Sequence, residues 1–446
     1  MAAAAVPRGP RGGRLLGNMR EFNSDSLGFI ERSAREFGDV VPTRFLHVPA
    51  LFLFHPDHVE QVLATGSKNF IKAATLRSPF FQRLVGRGLV TSEGDFWRRQ
   101  RRLAQPAFHH DRVEAYAGTM VAATSRMLAD WRDGRTLDAH EEMALLTQSV
   151  VAQTLFSADV SGEARGIGHA LSEIVRPFAS QATLKWILDN RLPTPAHLRF
   201  NRNVRNIDRF VYRLIEERRA SREDTGDLLS MLLAAQDEDG SSMTDRQLRD
   251  ELMTIFLAGH ETTALALTWA WYLLAQNPEA EARLAEELQE VLGGREPTVA
   301  DLPRLRYADW VLKEAMRLYP PAWAVGRECV RECEVGGHRV GVGTQVLGFQ
   351  WVIQRDPRWF ADPLAFRPER WGEESISRLP RYAYFPFGGG PRLCIGNYFA
   401  AMEAVLILST VARRFRLRLP RGHEVEVFPA LSLRPKHGLP VRLEAR

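Results

Sequence analysis

The longest unbroken pattern in the chain runs over residues 244–276. Its middle, MTIFLAGHETTALALTWAWYLL, is apolar nearly all round, which reads as a helix buried on every side. Thr244 and Gln247 have the spacing of a capping box, and Pro278 disfavours helical geometry at Asn277, so both ends are marked. At 1.5 Å per residue such a helix spans about 50 Å, enough to cross a whole domain. Asn277 is placed to cap a following helix, with Pro278 at its first position and Gly293 closing it. A second apolar helix is expected over 397–414. Strand-like runs with Gly and Pro punctuation fall at 40–55, 334–351 and 415–443, and loops between helices at 191–195 and 221–226. The expectation is a mainly α chain with small β-sheets. Residues 1–446 read as one domain: a β-rich portion near 38–56, a helical core near 57–330 and a β-rich tail at 415–446. No internal repeat or Gly/Ser linker is visible.

Composition narrows the picture. Hydrophobic residues at 45% and charged residues at 25% are ordinary globular usage, which excludes a largely disordered chain. Three cysteines in 446 residues are too few for a disulfide framework. The N-terminal apolar run stops at Pro7, too short for a secretory signal or a membrane span, so a cytoplasmic protein without a span is expected. Net charge is +5, and lysine stands only at 68, 72, 185, 313 and 436. The arginine excess reads as codon usage rather than a nucleic-acid surface, while the basic balance favours an acidic partner.

Four constellations carry chemistry. The first is FPFGGGPRLCIG, residues 385–396. Consecutive glycines allow unusual backbone angles and the close approach of a flat ligand. Cys394 follows them and precedes a helix whose N-terminus favours a thiolate, the form that ligates iron. The second is Glu314 and Arg317, three apart on one helix face; alone they read as a surface salt bridge. The third is Ala258-Gly259-His260-Glu261-Thr262-Thr263, inside the long apolar helix, where a charge needs a purpose. Gly259 points to a close ligand or a local opening, and Thr262 is placed to bond back to the Ala258 carbonyl. A polar kink with satisfied side chains is the alternative. The fourth is Trp97-Arg98-Arg99-Gln100-Arg101-Arg102, either a solvated basic face or a phosphate-binding patch.

Together these segments resemble the cytochrome P-450 superfamily, in the family's order and over nearly the whole chain. The match at 387–396 is FxxGxRxCxG. The resemblance implies the cytochrome P-450 fold, a triangular helical domain with the long central helix over heme, and heme b (iron protoporphyrin IX) as cofactor. Cys394 is then the proximal thiolate and metal ligand, in a loop that includes Phe387. Arg392, Trp97, Arg101 and Arg327 pair with heme propionates, and Ala258 lies against the cofactor. Glu261 and Thr262 are the acid–alcohol pair that delivers protons during oxygen activation. Glu314, Arg317 and Arg370 form a buried structural triad; Trp371 stands where the family often has Phe. Arg98, Arg99 and Arg102 form a basic collar for an acidic ferredoxin- or flavodoxin-type donor, separate because no fused reductase follows.

The implied activity is insertion of one atom of O2 into a C–H bond of a lipophilic substrate: a fatty acid, terpenoid or carotenoid. Substrate contacts are expected from the loop at 75–89, from Phe256 and Leu257, and from Ala322, Trp323, Ala324 and Val325. A monomer without nucleic-acid partners is expected. A peroxide-driven peroxygenase of the same fold and a non-catalytic heme- or lipid-binding protein are the alternatives; the intact Glu261–Thr262 pair argues against the first.

Overall fold

A computed structural model describes residues 8–157, 194–221 and 225–446. The loops expected at 191–195 and 221–226 lie partly outside the described residues. No helix among the described residues is long and apolar enough to cross a membrane. The chain packs as two compact units.

The first unit takes residues up to 78, 314–394 and 429–433. Its frame is a five-stranded sheet from β1 (Val40–Phe45), β2 (Val48–Leu53), β3 (Phe70–Lys72), β5 (Val325–Cys329) and β8 (Gln345–Gly348), in the order β1-β2-β8-β5-β3. β1 and β2 are the hairpin expected at 40–55, paired from Val40 with Leu53 to Phe45 with Val48. Half of the region 334–351 is also β, with β6 (Cys333–Val335) and β7 (His338–Val340) forming their own ladder, but Gln350–Ile353 turns helical. Phe52 seeds an aromatic cluster: its ring lies 4.7 Å from Phe349 and 6.2 Å from Phe29, which sits on α1 (Ser26–Phe37).

The second unit takes residues 79–313, 395–428 and 434–446 and is helical. Its main helices are α2 (Gly94–Ala104), α3 (Ala117–Ala129), α4 (Ala139–Phe156), α5 (Pro195–Ser221), α6 (Asp245–Gln276), α7 (Pro278–Leu292) and α9 (Asn397–Ala412); α8 (Arg306–Leu318) ends in the first unit. Beside them β4 (Thr136–Asp138), β9 (Phe415–Arg418) and β12 (Pro440–Ala445) form a sheet in the order β4-β12-β9, and β10 (Val427–Pro429) pairs with β11 (Leu433–Pro435).

The long helix α6 starts from the expected capping box: Gln247 N–H donates to Thr244 Oγ1 at 3.3 Å, and Thr244 N–H to Gln247 Oε1 at 2.8 Å. Leu265, Leu267, Trp269 and Ala270 are wholly buried, and burying each large apolar side chain is worth about 1.5–3 kcal/mol. Two readings are corrected. Asn277 does not cap α7 through its side chain; its amide donates to the Leu273 carbonyl at 2.7 Å and so finishes α6 instead. The segment 75–89 is not a plain loop, because Pro79–Val85 is helical and Phe80 and Phe81 are buried. Phe80 stacks on Phe200 of α5 at 4.4 Å, so packing takes the aromatic face.

Candidate active site

In the first unit the glycine-rich loop is held by its backbone. Gly388 and Gly390 have φ of +71° and +64°. A Cβ at Gly390 would stand 1.8 Å from the Leu63 carbonyl oxygen, so the conformation and the contact both demand glycine. Cys394 N–H donates to the Phe387 carbonyl at 3.1 Å and closes the turn beneath the sulfur. Cys394 is exposed and in no disulfide.

Two glutamines that sequence reasoning passed over hold the head of this loop, and one of them ties it to α8. Gln350 Nε2 donates to the Phe385 carbonyl at 2.7 Å, and Gln354 Oε1 accepts the Phe385 N–H at 3.1 Å. Gln354 Nε2 in turn donates to the Met316 and Arg317 carbonyls. Both glutamines are buried, so each unmade bond would leave a desolvated amide. Gln354 thus joins Phe385, at the head of the loop, to the turn that carries Glu314 and Arg317.

Glu314 and Arg317 are fully buried and Arg370 is 3% exposed. The burial is compensated because Glu314 accepts five bonds and Arg317 engages all five of its donors. Glu314 accepts two bonds from Arg317 at 2.8 and 3.0 Å, one from Arg370 at 2.8 Å, one from Trp371 Nε1 at 3.0 Å and one from the Arg367 N–H at 3.1 Å. Arg317 spends its remaining donors on the carbonyls of Gln354, Pro363 and Ala365. Trp371 supplies a donor that phenylalanine lacks.

In the second unit, α6 opens at one place. Between Glu251 and Ala275 the exposed residues are Ala258 and Thr262, one turn apart on the same face. Thr262 Oγ1 donates to the Ala258 carbonyl at 2.8 Å, the expected back-bond. Gly259 has a packing role: a Cβ there would meet Val151 of α4 at 3.3 Å. His260 is half-buried, its Nδ1 2.8 Å from the Phe256 carbonyl, and desolvation lowers its pKa, which favours a neutral packed imidazole. Glu261 points to a partner 173 residues away: Arg434 Nη2 on β11 lies 2.5 Å from its Oε1, both side chains under one-fifth exposed.

Also in this unit, Trp97 and Arg101 lie on α2, half-buried, with Arg101 Nε donating to Gln105. The expected basic collar is largely offset. Arg99 and Arg102 both pair with Asp237, at 2.9 and 2.5 Å, and Arg98 pairs with Asp95. Nothing local in sequence links Asp237 to α2.

The expected substrate contacts divide. Trp323 is buried, donates to the Ala430 carbonyl at 2.9 Å and stacks on Phe22 and Phe349, so it serves the first unit's core. Phe256 is buried with its ring 5.5 Å from His260. Leu257, Ala322, Ala324 and Val325 keep part of their surface.

The donor set suits an iron porphyrin. Cys394 offers a soft anionic sulfur, the ligand type that drives heme oxygen chemistry. Arg327, 7% exposed on β5, and Arg392, half-buried in the loop, offer cations for carboxylates. Ala258 and Thr262 leave a small-residue face on which a flat ring can lie.

Comparison with known proteins agrees. The chain matches the cytochrome P450 family model over residues 7–440. It is 41% identical to cyclooctatin synthase of Streptomyces melanosporofaciens, over 95% of this chain and 92% of that one. It is 37% identical to pentalenene oxygenase of Streptomyces avermitilis, over 100% and 97%. Among solved structures it resembles the retinoic acid bound cyanobacterial CYP120A1, with a TM-score of 0.88 at 25% identity and full coverage of both chains. With a thiol displayed by a glycine-rich loop and a long buried helix opened at Ala258 and Thr262, the chain belongs to the cytochrome P450 family and is a heme b monooxygenase.

Proposed function

We propose that this enzyme hydroxylates a cyclic terpenoid, using single electrons from an acidic ferredoxin-type donor in the cytoplasm. The substrate class is supported by the names of relatives matched along almost the whole chain, cyclooctatin synthase and pentalenene oxygenase. The retinoic acid held by the solved relative is isoprenoid as well. Leu257, Ala322, Ala324 and Val325 offer apolar, partly open surface of the right character. The acidic donor is supported by the chain's net charge of +5 rather than by the collar, which Asp237 offsets.

The observation that carries the chemistry is Thr262 on the open face of α6, with Glu261 beside it in the chain. When bound, the heme supplies the oxygen-activating redox chemistry. Cys394 Sγ would hold the iron as a soft, electron-rich ligand. By the family resemblance, Trp97, Arg101, Arg327 and Arg392 would hold the propionates. Thr262 Oγ1, whose proton bonds to the Ala258 carbonyl, would release that bond to donate, and Glu261, once it has taken up a proton from water, would replenish it. The apolar residues orient the substrate and exclude water.

A spin-state titration tests the substrate class. Saturable conversion with pentalenene and none with palmitic acid or β-carotene is expected; conversion only with one of the latter contradicts it. Oxygenated product should require O2, NADPH, a ferredoxin and its reductase together. Product from peroxide alone, with none from the donor system, favours the peroxygenase.

A further inference from the structure

We infer that Arg434 is a positioning residue for the proton relay: its guanidinium fixes where the Glu261 carboxylate stands. The assignment rests on the acid role proposed for Glu261. Arg434 Nη2 lies 2.5 Å from Glu261 Oε1, with the two side chains 18% and 17% exposed. A pair so shielded holds its geometry, whereas an exposed one exchanges with water.

Arg434 is itself well anchored. Its hairpin is closed by Lys436 N–H on the Glu426 carbonyl at 2.9 Å and by Lys436 Nζ on Glu426 Oε1 at 2.7 Å. The chain then docks on the start of α4: Leu439 N–H donates to Asp138 Oδ1 at 2.9 Å, and Ala139 N–H to the Leu439 carbonyl at 2.8 Å. That junction sets His140, in the first turn of α4, near Arg434 and Glu261. His140 Nδ1 lies 3.4 Å from Thr268 Oγ1, two helical turns along α6 from Glu261. Burial lowers the His140 pKa, so at neutral pH it contributes bulk and dipole rather than a second cation.

The consequence is mechanical. A carboxylate on a long helix has several rotamers, and delivering protons to Thr262 requires the right ones. A planar fork on a separately anchored hairpin restricts that choice in a way a flexible ammonium does less well. Arg434 moves no proton itself; it acts through Glu261.

The test compares wild type, Arg434→Gln, Arg434→Lys, Glu261→Gln and the Arg434→Gln/Glu261→Gln double variant, each as the heme-loaded full chain. One readout is infrared difference spectroscopy, in which the carboxylate bands abolished by Glu261→Gln should shift in Arg434→Gln. The other is product per NADPH with pentalenene and a ferredoxin system. Arg434→Gln should lower coupling about tenfold, with peroxide rising to match, because a misplaced relay loses much of what a positioned acid contributes. Arg434→Lys should restore part of it, and in the Glu261→Gln background Arg434→Gln should change nothing further. Unshifted bands, or wild-type coupling in Arg434→Gln beside an uncoupled Glu261→Gln, overturn the assignment alone. An equal loss with and without Glu261 overturns it too, since Arg434 would then act elsewhere. A Glu261→Gln enzyme that couples like wild type contradicts the relay, and the assignment falls with it.

Discussion

Glu314 Oε1 accepts the Arg370 Nε–H at 2.8 Å with both side chains shut off from solvent. Glu314→Gln leaves two buried guanidiniums without their countercharge, a change that costs about 3–5 kcal/mol. Urea unfolding should show a fall of that order, together with weaker heme retention as Phe385 loses its support through Gln354. A loss below about 0.5 kcal/mol, the range of surface substitutions, would contradict the structural role.

Gly390 and Gly388 share a left-handed backbone but not their surroundings. A side chain at Gly390 collides with the Leu63 carbonyl, while at Gly388 nothing lies within 4 Å. Gly388→Ala should therefore cost only the conformational penalty, about 1–2 kcal/mol, and Gly390→Ala considerably more. Thermal unfolding of the two variants gives the ranking. Equal losses would mean that the Leu63 contact yields freely.

Buried Glu251 makes stability pH-dependent. Burial pushes its carboxyl up to about 7, against bonds from Leu89 N–H at 3.0 Å and Gln100 Nε2 at 3.1 Å that favour the charged form. The folded state thus holds a proton that the unfolded chain releases near its ordinary value of 4.5. That contribution is fully present below 4.5 and is lost as pH rises through 7. The loss is on the order of 3 kcal/mol. Glu251→Gln should flatten this part of the stability profile between pH 4.5 and 7.5. A variant with the wild-type slope would show that other groups set it.

Thr262→Ala removes the hydroxyl at the open face of α6 and leaves the fold intact. Substrate-induced spectral changes should persist while product per electron pair falls and peroxide appears. Glu261→Gln should slow product formation by about 10²-fold, the scale of a positioned acid. Unchanged coupling in both variants would favour a role without oxygen chemistry.

Local signals were legible in the sequence and distant partnerships were not. The capping box of Thr244 and Gln247 and the glycines before Cys394 obey short-range rules, so α6 and the thiol loop could be read directly. Thr262 bonding to Ala258 follows from helical spacing alone. Arg434 could not be paired with Glu261, nor Asp237 with Arg99 and Arg102, because a cation's partner depends on which elements the fold brings together. Trp323 and Phe80 misled for a related reason: an aromatic beside a candidate pocket serves the core equally well. Asn277 could accept from the N–H groups that open α7 or donate to the carbonyls that end α6, and it took the helix behind it. Gln350 and Gln354 carry no motif, and their value shows only where Phe385 meets α8.

Oxygen activation by this chain requires the sulfur at position 394 to bind heme iron. The most direct measurement is the absorption spectrum of the reduced carbon monoxide adduct of the heme-loaded wild type beside Cys394→His. A thiolate-type Soret band in the wild type, replaced by an imidazole-type band in the variant, is the expected result. An imidazole-type band in the wild type, or a colourless protein after heme supplementation, would contradict it.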